Sequence, residues 1–292
     1  MNVLVTGGAG FVGTNLIKSL LHVGHDVTSI DNYHTGLESN HQDGCKYHNY
    51  DIRYIDDYSV FGQFNVIYHL AAIARIQPSF NDPESYFTTN ANATMKIAKW
   101  CSENNIPLVY AGSSSHHSGK FKNPYTFSKD IGEEIIQLFQ RHYGLNASIA
   151  RFYNVYGPHH LKQGGYCTLL GTWEQCIESG EQPYIYGDGT KRRDFTHVDD
   201  IVDALIMIAE QHAWGYDFEL GRGHNYTINH IAAMYGLMDT ILYKEDKPGE
   251  AQYTLCTDML AREVLNWSPS RNIEDYIRSY NEKNISPAQP SR

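Results

Sequence analysis

The stretch Thr6-Gly7-Gly8-Ala9-Gly10-Phe11-Val12-Gly13 decides the fold. It closes an apolar pentad, Asn2–Thr6, and opens Phe11–Val23, where Leu16, Leu20 and Val23 repeat at helical spacing. Gly7, Gly10 and Gly13 therefore stand at a strand-to-helix turn, spaced GxxGxxG. The first glycine permits the tight turn, the second lets backbone approach a pyrophosphate, and the third lets helix and strand pack closely. The helix start, Phe11 and Val12, adds N–H donors and a positive dipole end. The next strand, Val27–Asp31, ends on a carboxylate 18 residues beyond Gly13. Such a carboxylate accepts the hydroxyls of an adenosine ribose and repels a 2′-phosphate, so the pattern predicts a dinucleotide site and NAD over NADP. Asn32 adjoins it, and Asp51-Ile52, after the third strand, are placed at the adenine edge. An ordinary surface aspartate explains Asp51 equally well.

Outward from this turn the alternation continues. Strands are predicted at Lys46–Ile52, Val66–Ala72, Pro107–Ser113 and Ala147–Val155, with helices at Pro83–Glu103 and Pro124–Tyr143. Near-continuous apolar strands alternating with helices predict an α/β fold with a doubly wound parallel sheet. Beyond Gly157 the pattern loosens: a helix near Thr168–Ser179, a short strand at Tyr184–Tyr186, a helix at Val198–Gln211 and a strand at Tyr216–Leu220. The division expected is a dinucleotide-binding domain over 1–160 and a smaller mixed α/β substrate domain over 161–292. Residues 197–222 return to the first. The end, Asn284–Arg292, holds two prolines and is expected to fray.

Composition narrows the function. A net charge of −10 repels phosphate backbones and argues against a nucleic-acid partner. No apolar run approaches the length of a membrane span, and no basic, apolar leader opens the chain. Five scattered cysteines without CxxC spacing argue against a disulfide framework or zinc site and for a cytoplasmic setting.

Tyr125-Thr126-Phe127-Ser128-Lys129 sets a tyrosine and a lysine on one helix face. An ammonium beside a phenol stabilises the phenolate, giving a base for an alcohol proton while a nicotinamide takes the hydride. With 22 tyrosines in the chain, chance spacing is the competing reading. Ser113-Ser114-Ser115, at the end of the strand from Pro107, lies where α/β sheets place ligands.

GGAGFVG, HLAA (His69–Ala72), SSS followed by YTFSK, RFYNVYGP (Arg151–Pro158) and GDGTKRRDF (Gly187–Phe195) occur in that order. Together they resemble the extended short-chain dehydrogenase/reductase family, in its UDP-glucose 4-epimerase-like branch of nucleotide-sugar epimerases and dehydratases. The resemblance covers about the whole chain and implies a Rossmann fold with bound NAD. It makes Tyr125 the base, Lys129 its partner on the nicotinamide ribose, and Ser114 the proton relay. Leu70, Ala71, Ala72 and Asn90 would adjoin the cofactor. Asn154 and Arg193 would hold a diphosphate, Tyr184 or Tyr186 would flank the base, and Lys247 and Glu250 would match the family's Arg-x-Gly-Asp/Glu segment. Thr254 would gate the sugar's C2 side. A homodimer paired through the two long helices is the family expectation.

Two departures stand out. Lys247 replaces an arginine, and the segment between the serines and Tyr125 is short, with His116-His117 where relatives read a VYG-like turn. No metal is expected there, since adjacent histidines rarely face one ion. The dehydratases place an Asp-Glu pair after the relay residue and decarboxylating relatives use a glutamate; both are absent here. The chemistry left is C4 epimerisation of a nucleotide-diphosphate sugar, a UDP-hexose or UDP-N-acetylhexosamine, through a 4-keto intermediate. A dehydratase or reductase of the same family, and a non-catalytic NAD-binding sensor or scaffold, are the alternatives.

Overall fold

The computed structural model describes residues 1–284. In chain order the first half reads β1 (Asn2–Thr6), α1 (Phe11–His22), β2 (Asp26–Asp31), β3 (Lys46–Asn49), β4 (Val66–His69), α2 (Ile76–Asn81) and α3 (Pro83–Phe87). It continues with α4 (Ala93–Asn104), β5 (Leu108–Ser113), α5 (Pro124–Tyr143) and β6 (Ala147–Phe152). The second half holds α6 (Leu169–Ser179), β7 (Tyr184–Tyr186), β8 (Arg192–Asp194), α7 (Val198–Glu210), β9 (Asp217–Leu220) and β10 (Asn225–Thr227). It ends with α8 (Ile228–Met234), β11 (Leu242–Lys244), α9 (Leu260–Leu265) and α10 (Ile273–Asn284).

Seven strands form one parallel sheet in the order β3-β2-β1-β4-β5-β6-β9. The order reverses between β1 and β4, and the crevice outside their C-terminal ends is where such sheets bind ligands. On one face α1, α7 and α9 cover the sheet through Leu16, Leu20, Val202, Leu205 and Leu265; on the other α4 and α5 cover it through Ile97, Trp100, Ile136 and Phe139. β9 comes from residues far along the chain and extends the edge beside β6. A smaller unit holds the pairs β8-β10 and β7-β11 with α6, α8 and α10, around Trp173, Tyr235 and Ile277.

Where the apolar pattern runs past a strand, the backbone stops pairing earlier. Ile52 lies in a 3₁₀ turn capped by Asp51, and residues 70–72 leave the sheet after His69. The helix expected over Pro83–Glu103 is interrupted by a π turn at Thr88–Asn92. The expected frayed segment begins at Asn284, which closes α10; residues 285–292 lie outside the described residues. Among the described residues no helix is long and apolar enough to cross a membrane, and all five cysteines are free.

Candidate active site

The glycine turn builds one wall of the site. Gly7 adopts φ +75°, and a Cβ there would lie 2.8 Å from the Ala71 nitrogen. At Gly13 a Cβ would lie 2.2 Å from the Gly7 carbonyl oxygen, so helix and turn touch backbone to backbone. Gly10 caps α1 without a side-chain acceptor, leaving the helix's first N–H groups to an incoming ligand. A cavity of about 500 Å³ opens against this cradle. Gly7, Gly10, Phe11, Val12, Gly13, Asp31, Asn32, Ile52, Leu70, Ala71 and Ala72 line it, a surface suited to a dinucleotide. Asp31 accepts from the Ala9 nitrogen (3.0 Å) and the Tyr33 nitrogen (2.8 Å). Burial raises its carboxyl pKa, and those two backbone donors pull it back.

The same cavity reaches the end of β5 and the start of α5. Helix α5 begins because Asn123 accepts from the Thr126 nitrogen at 2.7 Å and Pro124 fits the first helical position. That start presents Tyr125 and Lys129 together. The Tyr125 hydroxyl donates to Ser113 Oγ at 3.3 Å, and Ser113 Oγ in turn donates to Ser115 Oγ at 2.9 Å. Ser114, the expected relay, lines the same cavity, while the serine bonded to Tyr125 is Ser113. Ser113 is the last residue of β5, whereas Ser114 already turns into the 3₁₀ segment Ser114–Ser118.

Lys129 donates to the Ala111 carbonyl oxygen at 2.6 Å and lies 4.3 Å from the Tyr110 ring centroid. Burial lowers its pKa to about 8, against a smaller upward pull from Glu133. Tyr125 is shifted the other way from the expected phenolate. Burial raises its pKa, opposed by the Ser113 hydrogen bond and the positive charge of Arg75.

Asn154, Arg193, Glu250 and Thr254 line the far end of the cavity. The Asn154 side-chain NH2 donates to the Asp194 carbonyl (2.8 Å) and to Thr254 Oγ1 (3.0 Å). Thr254 Oγ1 also accepts from the Asp194 nitrogen at 3.1 Å, which leaves its own hydroxyl proton to donate. Arg193 lies 3.8 Å from Glu250, and burial lowers its pKa.

Five expected residues do not line the cavity. Asp51 is held by Arg53 (2.7 Å) and Asn32 (3.0 Å), and Arg53 takes its place in the wall. Asn90, buried at the π turn, bonds both backbone groups of Ile73 (2.8 and 2.9 Å) and Ser128 Oγ (3.0 Å). It positions the 70–75 segment rather than touching its contents. Tyr184 lies under the Lys244 ammonium at 3.5 Å, and Tyr186 under that of Lys247 at 3.7 Å. These stacks turn Tyr184 onto Lys244 and Tyr186 onto Lys247.

The two histidines of the short segment also acquire partners. His116 Nδ1 is 2.9 Å from Asp130, and His117 Nε2 is 2.8 Å from Glu219. Arg151 joins Glu133 (2.8 Å), Glu219 (2.8 Å) and Asp217 (3.2 Å) in one network. His116, Asp130 and Glu133 bring ligand-type atoms within 4.8 Å of one another, but the Arg151 guanidinium already neutralises Glu133. Glu133 also accepts from the Ser113 nitrogen at 3.3 Å, so this network braces the serine that meets Tyr125. The sequence reading named the Ser113–Ser115 triplet without assigning Ser113 a role, and it missed Glu133 and Arg75. Ser113 alone left a signal, as the last residue of a predicted strand.

Fold and site together define an NAD-dependent enzyme of the nucleotide-sugar epimerase class. The profile of the NAD dependent epimerase/dehydratase family matches residues 3–221, and the chain belongs to that family. A putative UDP-glucose 4-epimerase of Methanocaldococcus jannaschii is 28% identical over 94% of this chain and 96% of its own. A UDP-glucuronate 4-epimerase of Thermodesulfobacterium geofontis is 27% identical over 94% and 93%. The structure of a UDP-N-acetylglucosamine 4-epimerase from Methanobrevibacter ruminantium M1, in complex with UDP-N-acetylmuramic acid, superposes with a TM-score of 0.86. It is 27% identical and covers 98% of each chain.

Proposed function

We propose that this enzyme inverts C4 of a UDP-sugar through a transient 4-keto sugar. The observation that carries the reading is the Tyr125–Ser113 hydrogen bond inside a cavity that also holds the glycine turn and Asp31. Bound NAD supplies the hydride acceptor and donor at C4. The α1 N-terminus and glycine turn would hold its pyrophosphate, and Asp31 its adenosine ribose. Tyr125 takes the C4 hydroxyl proton, with Ser113 as relay, and returns it after the ketone has turned its other face. Lys129, still largely charged at pH 7 with a pKa near 8, stabilises the phenolate as it forms. Arg193 holds the substrate diphosphate. Ser113 is followed by Ser114 and Ser115, so no carboxylate pair stands ready to take a C5 proton, and dehydration is disfavoured.

The test is a panel of UDP-, GDP- and dTDP-sugars incubated with the NAD-loaded protein and followed by NMR. A C4-inverted UDP-sugar without net consumption of NAD is the expected result. Stoichiometric NADH release, or loss of the C6 hydroxyl, would replace epimerisation by reduction or dehydration.

We also propose that the C2 side accepts an N-acetyl group. Thr254 is small, lines the cavity and has a hydroxyl proton to donate. Thr254→Tyr should abolish work on the UDP-N-acetylhexosamine by crowding the acetamide, while sparing the plain hexose. An equal fall on both sugars, or a wild type that never turns over the N-acetylated one, would refute the gate. The homodimer is proposed through α4 and α5, whose outer faces expose Met95 and Leu138. Light scattering at micromolar concentration should then report about twice the 33.2 kDa chain mass.

A further inference from the structure

We infer that Arg75 is an anion receptor beside the reacting carbon, and that the preferred substrate carries a carboxylate on its sugar, as a nucleotide hexuronate does. The inference rests on the epimerase reading for the placement of the sugar. Arg75 lines the main cavity, its Nε donating to the Tyr166 carbonyl at 2.9 Å. It forms no ion pair with a carboxylate among the described residues, and burial lowers its pKa. The other cations of the cavity are engaged: Arg53 with Asp51, Arg193 near Glu250, and Lys129 with the Ala111 carbonyl. Glu250, which lines the same cavity, attracts Arg75 without reaching ion-pair distance, so a partly buried guanidinium is left to pair with an incoming anion.

Its backbone is held against preference as well. Arg75 adopts φ +90°, a region glycine enters freely and arginine does not. The Tyr86 hydroxyl bonds the carbonyls of Ala74 and Arg75, both at 2.9 Å. The Tyr86 ring packs edge-on against that of Tyr125, with centroids 6.2 Å apart. The arginine is thus tied to the wall that carries Tyr125, and its charge acts on the Tyr125 phenol.

The geometry of a pyranose then selects the anion. C6 hangs from C5, next to C4, whereas the diphosphate leaves from C1 across the ring. While Tyr125 serves C4, the anion nearest Arg75 is a C6 carboxylate. Its two oxygens match the planar fork of a guanidinium.

The test is calorimetric titration of the NAD-loaded protein with UDP, UDP-glucose and UDP-glucuronate, for wild type, Arg75→Gly and Arg75→Lys. Glycine removes the fork and suits the positive φ, so Arg75→Gly should melt no lower than wild type. Wild type should bind UDP-glucuronate about tenfold or more tighter than UDP-glucose, as charge-assisted hydrogen bonds allow. Arg75→Gly should lose that preference while UDP and UDP-glucose stay within about threefold, and Arg75→Lys, keeping charge without the fork, should fall between. Equal loss on all three ligands would assign Arg75 to the diphosphate, and a wild type without preference for the uronate would also overturn the proposal. Because binding alone is read, a uronate preference without C4 inversion would instead sink the epimerase reading and leave the receptor standing.

Discussion

Tyr125→Phe is expected to cut turnover by about 10²–10⁴-fold, the usual loss of a general acid–base group, with NAD and nucleotide-sugar binding nearly intact. Phenylalanine keeps the ring against Tyr86 and removes only the hydroxyl that reaches Ser113, so the fold has no reason to change. The serines provide the companion experiment. Ser113→Ala should lose a large part of the same factor, because it breaks the only bond the Tyr125 hydroxyl makes among the described residues. Ser114→Ala should lose far less. Steady-state kinetics on a substrate from the NMR panel decides between them. A Tyr125→Phe enzyme within a few-fold of wild type would end the proposed mechanism, and a larger loss at Ser114 than at Ser113 would restore the other serine as relay.

Lys129→Met is expected to separate activity from stability. Turnover should collapse, since the phenolate loses its cation, yet the protein should unfold at higher temperature at pH 7. The reason is burial: Lys129 is 4% exposed, and its pKa is lowered from 10.5 to about 8. A lysine whose pKa falls on folding destabilises the fold in full below the folded value. The penalty fades as pH rises through about 8 and is gone above the unfolded value near 10.5. Replacing the ammonium by a thioether of similar length should therefore stabilise by roughly 2–3 kcal/mol at pH 7, after the lost bond to Ala111 is deducted. The gain should shrink steadily between pH 8 and 10.5. Urea unfolding at pH 7 and pH 10 checks it; a destabilised variant at pH 7, or a gain that grows with pH, would contradict the account.

The sequence by itself determined the glycine turn, the alternation of strands and helices, the Asn123-Pro124 start of α5, and the Tyr125/Lys129 pair on one of its faces. Each of these is local: a turn needs its own glycines, a cap its own neighbours, and residues four apart on a helix share a face in any context. Motif order added the family, since five segments in sequence are hard to match by chance. Only the tertiary structure decided which polar side chains face the cavity. Ser113 and Ser114 are indistinguishable in a run of three serines, and what separates them is where β5 ends relative to Tyr125. Asp51 turned to Arg53 and Asn32, and Asn154 to Thr254, a hundred residues away. Lys247 lies on Tyr186 instead of lining the site. Periodicity reports which side of an element is buried but not the partner a polar atom finds there. That choice among donors and acceptors from distant parts of the chain is made by packing, which is why Arg75 left no mark in the sequence and a plain one in the fold.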